Sequence, residues 1–180
     1  TTGAIQSNHC RQVAAAAARL GLSCILVLAG EEPERYQGNL FLDKLSGAEI
    51  VFAEKNKRDQ TLTEVFEKAS AEGKRPYLIP YGGSNAIGAL GYYYAMRELL
   101  QQGLDPDWIV FASSSGGTQA GLVIGARYFG FQASCWGSVS NILPRLFRIK
   151  SPSWRTRQQN CFNMTVWSHL STYRLMISIV

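Results

Sequence analysis

Apolar and polar positions alternate along the first 134 residues in a repeated rhythm: a short apolar run, a turn, then a longer stretch with helical spacing. "CILVL" (Cys24–Leu28), "AEIVFA", "RPYLIP" and "DWIVFA" (Asp107–Ala112) have the length and apolar content of buried strands. Helices are predicted between them. The first runs from Asn8 to Leu20 and is closed by Gly21 as a left-handed residue. "GNLFLDKLSG" ends at Gly47, and "TLTEVFEKASAEG" opens on a capping box from Thr61 to Glu64 and ends at Gly73. "NAIGALGYYYAMRELLQQG" ends at Gly103, and "GGTQAGLVIGARYFG" follows the last strand. Strands and helices alternating over short connections predict an α/β fold with parallel sheets flanked by helices.

Composition narrows the class. With 180 residues, 46% hydrophobic and 17% charged, the chain is long enough for one domain or two small lobes with a real core. No run reaches the roughly 18 apolar residues that span a bilayer, and no leader is visible ahead of Thr1, so a cytoplasmic protein is expected. Cys10, Cys24, Cys135 and Cys161 are scattered without metal-ligand spacing, which predicts reduced thiols and no metal site. The net charge of +5 divides unevenly. Thr1–Ser134 holds 12 Lys/Arg against 13 Asp/Glu, whereas Cys135–Val180 holds 6 Lys/Arg and no acid.

Three loops before predicted helices carry the candidate chemistry, since ligands of parallel α/β sheets sit where strands run into helix N-termini. In "SSSGGT" (Ser113–Thr118), Gly116 and Gly117 let the backbone approach a ligand closely. Ser114, Ser115 and Thr118 add hydroxyls, and the following helix adds free N–H groups. Together these suit an anion, most naturally a phosphate, although a well-capped turn would have the same composition. The loop matches neither a Walker motif, nor a dinucleotide fingerprint, nor a hydrolase elbow. In "PYGGSN" (Pro80–Asn85), Gly82 and Gly83 mark a turn, and Ser84 or Asn85 would cap the next helix. The third loop, Gln6, Ser7, Asn8 and His9, has more polar side chains than capping needs. Such groups can bind a carboxylate or a phenolate oxygen, or pass a proton.

"GAIQSNHCRQVAAAAARLGL", "GNLFLDKLSGAEIVF", "PYGGSNAIGALGY" and "SSSGGTQAGLVIGARYFG" resemble, in this order, the D-cysteine desulfhydrase and 1-aminocyclopropane-1-carboxylate deaminase family. These are pyridoxal-phosphate enzymes of the tryptophan-synthase-β-like fold, two lobes with the cofactor between them. The resemblance runs to about Gln132, and "SNH" with "GGSNAIGALGY" favours the desulfhydrase side. It implies pyridoxal 5′-phosphate as cofactor, a small amino acid as substrate, and a homodimeric complete enzyme, with neither membrane nor nucleic acid as partner. Ser7 would face the substrate carboxylate and the reaction centre, Asn8 the cofactor ring oxygen, and Ser115, Gly116, Gly117 and Thr118 the phosphate. His9 would border the substrate pocket and Tyr81 would approach the substrate. The implied reaction converts D-cysteine to pyruvate, ammonia and hydrogen sulfide, the cofactor serving as electron sink for a carbanion at Cα.

Two departures qualify the resemblance. The family's Schiff-base lysine precedes the Gln-Ser-Asn-His motif, and none of Lys44, Lys55, Lys57, Lys68, Lys74 or Lys150 follows its motif, so this chain alone is expected to be inactive. It could then be a dead module that keeps the phosphate loop. Near Gln132 the sequence leaves the family pattern. Reading the third base of each codon with the first two of the next permits a family-like strand and then a helix. Residues 135–180 are therefore read as out-of-frame translation, the alternative being a basic tail whose Trp136, Trp154 and Trp167 bind nucleic acid. The expected organisation is a small, mobile lobe over most of 1–90, the start of a large cofactor lobe over 91–134, and the basic tail beyond.

Overall fold

The computed structural model of the protein describes residues 1–131 and 134–138. The chain divides into two compact units, Thr1–Gly83 and Ser84–Val180.

The first unit is a three-stranded parallel sheet in the order β1-β2-β3, built from β1 (Thr2–Ala4), β2 (Ile25–Ala29) and β3 (Glu49–Ala53). Thr2 lies opposite Val27, and Val27 opposite Val51. Leu26, Val27 and Leu28 are fully buried, which suits a central strand covered on both faces. The helices are α1 (Asn8–Leu20), α2 (Gly38–Leu45) and α3 (Arg58–Ala71). Cys10 and Ala14 of α1, Leu26 and Leu28 of β2, and Leu40 of α2 form the core with Ala48. Fully burying one such leucine contributes about 2 kcal/mol. Gly21 closes α1 in the left-handed conformation (φ 66°), its N–H bonding the carbonyls of Ala17 and Ala18. Strand β1, only three residues long, was not among the predicted strands. It is held by a buried hydrogen bond from Thr2 Oγ1 to the Val27 carbonyl (2.6 Å).

The second unit contains α4 (Ala86–Gln101), β4 (Trp108–Ala112), α5 (Gly117–Tyr128) and β5 (Ser134–Ser138), with β4 and β5 parallel. Met96 of α4 packs with Leu122, Val123 and Ala126 of α5 and with Phe131 and Cys135. The two helices approach closely because glycines face the contact. A Cβ on Gly121 would collide with the Ala89 carbonyl, and one on Gly125 would lie 2.8 Å from Met96 Cβ. β5 places Ser134–Ser138 in a parallel strand in the printed reading frame, although the sequence pattern shows no sustained strand period from Cys135. The rest of the basic tail lies outside the described residues.

Two local expectations are corrected. "RPYLIP" (75–80) is not part of either sheet: Pro76 and Pro80 lack the N–H a ladder needs, and Tyr77 stays 73% exposed. No capping box forms at Thr61 either. Helix α3 begins one turn earlier, at Arg58, so Thr61 donates back to the Lys57 carbonyl (3.0 Å) and Glu64 accepts from Gln60.

Candidate functional site

In the first unit the turn between β1 and α1 presents Gln6, Ser7, Asn8 and His9, and each has a defined partner. Ser7 is the N-cap of α1: its Oγ accepts the Cys10 N–H at 3.1 Å. The turn needs Gly3, where a Cβ would stand 2.7 Å from both Ser7 Oγ and Cys10 Sγ. Gln6 reaches across to the start of α2, where no side chain of the local sequence caps the helix. Its Oε1 accepts the Asn39 N–H (2.9 Å) and its Nε2 donates to the Gln37 carbonyl (3.1 Å).

Asn39 then orients Asn8. Asn39 Nδ2 donates to the Gln6 carbonyl (2.9 Å) and to Asn8 Oδ1 (3.0 Å). The Asn8 amide therefore has its acceptor occupied and presents Nδ2 as donor, the polarity a phenolate oxygen requires. Asn39 was missed in the sequence, where the only signal is a polar residue after Gly38 at a helix start.

His9 Nε2 lies 3.0 Å from Thr1 Oγ1. Its ring sits against the 3₁₀ turn Tyr81–Gly83, with Cε1 3.2 Å from where a Gly83 Cβ would be. Gly83 is left-handed (φ 63°), so a glycine serves both the turn and the imidazole. Burial holds the His9 pKa below its ordinary value and so favours the neutral ring. Tyr81 is stacked by the Arg58 guanidinium, 4.8 Å from the ring centroid. His9 and the turn that bears Tyr81 are thus brought together. Asp43 of α2 is fully buried, and neither carboxylate oxygen has a hydrogen-bond partner among the described residues. Burial pushes its pKa up to about 6 against the opposing pull of Arg11.

The second unit holds the loop from β4 into α5. Gly116 is left-handed (φ 88°), and no side chain caps α5. Neither the Thr118 nor the Gln119 amide has a partner among the described residues, and the first turn of α5 carries no acid. Ser113 is engaged with Gln119 Oε1 (3.1 Å). Two open amides, the Ser115 and Thr118 hydroxyls and a positive helix end make a donor set that fits a phosphate. A groove of about 460 Å³ lined by Tyr92, Leu99, Phe111, Ala112 and Leu122 takes in Thr118 but not the rest of the loop.

At Gly117 a Cβ would stand 2.6 Å from Ser84 Oγ, so the bare face of this glycine makes room for Ser84. Asn85, not Ser84, caps α4, accepting the Gly88 N–H at 2.7 Å, and this frees Ser84 for the phosphate-type loop.

Parallel βα units with an uncapped Ser/Gly loop at a helix start define a class, the α/β enzymes that hold a phosphorylated cofactor. Comparison with known proteins narrows this. The chain belongs to the pyridoxal-phosphate dependent enzyme family, whose profile matches residues 1–156, past the Gln132 at which the quoted motifs stop. It is 42% identical over 165 residues to D-cysteine desulfhydrase of Klebsiella pneumoniae (strain 342), covering 83% of this chain and 50% of that protein. Identity to D-cysteine desulfhydrase of Yersinia pestis (strain Pestoides F) is 45% over 136 residues, covering 71% and 41%. Among solved structures, an ACC deaminase homologue superposes with a TM-score of 0.68 at 37% identity, over 76% of this chain and 43% of its own. The α/β, fold type II (tryptophan-synthase-β-like) architecture expected from the motifs is therefore that of the family. The chain spans half or less of the length of these relatives. Among the described residues no helix is long and apolar enough to cross a membrane.

Proposed function

We propose that the complete protein to which this chain belongs is a lyase of the D-cysteine desulfhydrase type, converting D-cysteine and water to pyruvate, ammonia and hydrogen sulfide. The observation that carries the reading is the open donor set at the start of α5, in a chain 42–45% identical to proteins of that name. Bound pyridoxal 5′-phosphate supplies an electron sink for negative charge at a substrate Cα. The loop Ser115, Gly116, Gly117 and Thr118 would hold its phosphate, and Asn8 Nδ2, pinned outward by Asn39, would meet its ring oxygen. Ser7, whose oxygen caps α1, would face a substrate carboxylate. His9, neutral and anchored by Thr1, is suited to hold or pass a proton at Nδ1, and Tyr81, fixed by Arg58, would border the substrate.

The likeness to an ACC deaminase homologue at 37% identity supports a second reading, deamination of 1-aminocyclopropane-1-carboxylate. Assaying the complete protein, loaded with cofactor, on both compounds separates them. Pyruvate and sulfide from D-cysteine are expected. Turnover of the cyclopropane alone would favour the second reading, and turnover of neither would leave a phosphate-binding module.

The same reading assigns most of residues 1–90 to the small, mobile lobe and 91–134 to the start of the cofactor lobe. It makes the complete enzyme a cytoplasmic homodimer, supported on location by the free thiols of Cys10, Cys24 and Cys135. Out-of-frame translation is our reading of residues 135–180, and resequencing the DNA from upstream of Thr1 through the codon for Asn160 tests it.

A further inference from the structure

We infer that Ser84 is a positioning residue for phosphate recognition, its hydroxyl relaying a hydrogen bond from the Gly117 N–H to Ser115 Oγ and so turning the Ser115 proton toward an incoming anion. The inference rests on the phosphate role proposed above for the Ser115–Thr118 loop.

The argument is one of hydrogen-bond polarity. The Gly117 amide can only donate, and it donates to Ser84 Oγ at 3.1 Å. Ser84 has a single proton, and it donates that proton to Ser115 Oγ at 2.6 Å. Ser115, having accepted, keeps its own proton for a third group. A chain of this kind strengthens link by link, because each hydroxyl that accepts becomes a better donor. Its free end is therefore a donor, which is what a phosphate dianion requires.

Two further observations show that Ser84 is reserved for this contact. Capping of α4 falls to its neighbour, as Asn85 Oδ1 accepts the Gly88 N–H at 2.7 Å. Position 117 must also be glycine for the contact to exist, since a Cβ there would stand 2.6 Å from Ser84 Oγ and 3.2 Å from Ser84 Cα. The plainer account is that Ser84 merely fastens the loop to the start of α4. That account predicts a loss of stability and no selective loss toward phosphate.

The test uses the full chain and two ligands that differ only in the phosphate, pyridoxine 5′-phosphate and pyridoxine, with affinities measured by calorimetry. Wild type should prefer the phosphorylated ligand. Ser84→Ala should cut that preference about tenfold, the size expected for a hydrogen bond to a charged group, while pyridoxine affinity stays unchanged. Ser84→Thr, which keeps the hydroxyl, should restore it. An S84A chain that keeps the full preference overturns the relay and leaves the phosphate loop standing. Equal weakening toward both ligands, or failure of S84T to restore the preference, assigns Ser84 a purely structural role and also overturns it. A wild-type chain with no preference would instead overturn the phosphate reading on which the relay rests.

Discussion

The two loops that carry the candidate chemistry are built on opposite plans. Each side chain of Gln6–His9 in the first unit is bonded to its own unit: Gln6 to α2, Ser7 to α1, Asn8 to Asn39, and His9 to Thr1. At Ser115–Thr118 in the second unit, the Ser115 hydroxyl and the Gly117 amide are both engaged by Ser84, and the next two amides of α5 have no partner among the described residues. The first loop fixes direction, so that an amide or an imidazole has one polarity to offer. The second concentrates donors at a helix end, where polarity comes from the backbone itself. Substitutions in the first loop should therefore cost folding stability, and those in the second should cost ligand affinity.

The contrast can be broken from either side. The largest effect should come from Gly121→Ala, which forces a methyl group against the Ala89 carbonyl where α4 supports α5. A loss of about 3 kcal/mol is expected in chemical denaturation, with the His9 imidazole resonances of the first unit unchanged.

Asp43, on the helix that anchors Gln6 and Asn8, should give the next largest effect. Its folded pKa of about 6 lies above the unfolded value near 3.9, so ionisation disfavours the fold. Its stability contribution is full below about pH 4, falls as pH rises toward about 6, and is flat above that. Asp43→Asn should abolish this slope and stabilise the protein by about 2 kcal/mol at pH 7, read from denaturation at several pH values. A wild-type slope that survives in D43N would assign it to another group.

Ser7→Ala should cost about 1 kcal/mol as a lost N-cap, measurable by thermal unfolding. Thr118→Val sharpens the comparison at its small end. Its hydroxyl bonds no described residue, so stability should move by less than about 0.5 kcal/mol, while affinity for pyridoxine 5′-phosphate falls.

Much of this was legible in the sequence because it is local. Helix α1 with its Gly21 stop, the apolar β2 core and the Ser/Gly loop before α5 follow from composition and spacing within a few residues. Contacts over longer separations were not legible. Gln6 caps α2 from 31 residues away in sequence, and Ser84 reaches Gly117 across 33. Nothing local to Gln6 or Ser84 announces those partners, nor that the glycine at 117 makes room for a serine. Strand β1 was hidden for a similar reason, since three residues carry no period and its order comes from pairing with β2. "RPYLIP" failed in the other direction: its apolar run satisfies a strand pattern, but two prolines remove donors a sheet would use.

The most direct test of the central claim, that the loop into α5 is the phosphate site, is an amide ¹⁵N–¹H titration of the chain with pyridoxal 5′-phosphate. The Ser115, Gly116, Gly117, Thr118 and Gln119 amides should shift most and saturate together, and addition of unphosphorylated pyridoxal should leave them in place. Shifts confined to other residues, or equal shifts with both ligands, would contradict the claim.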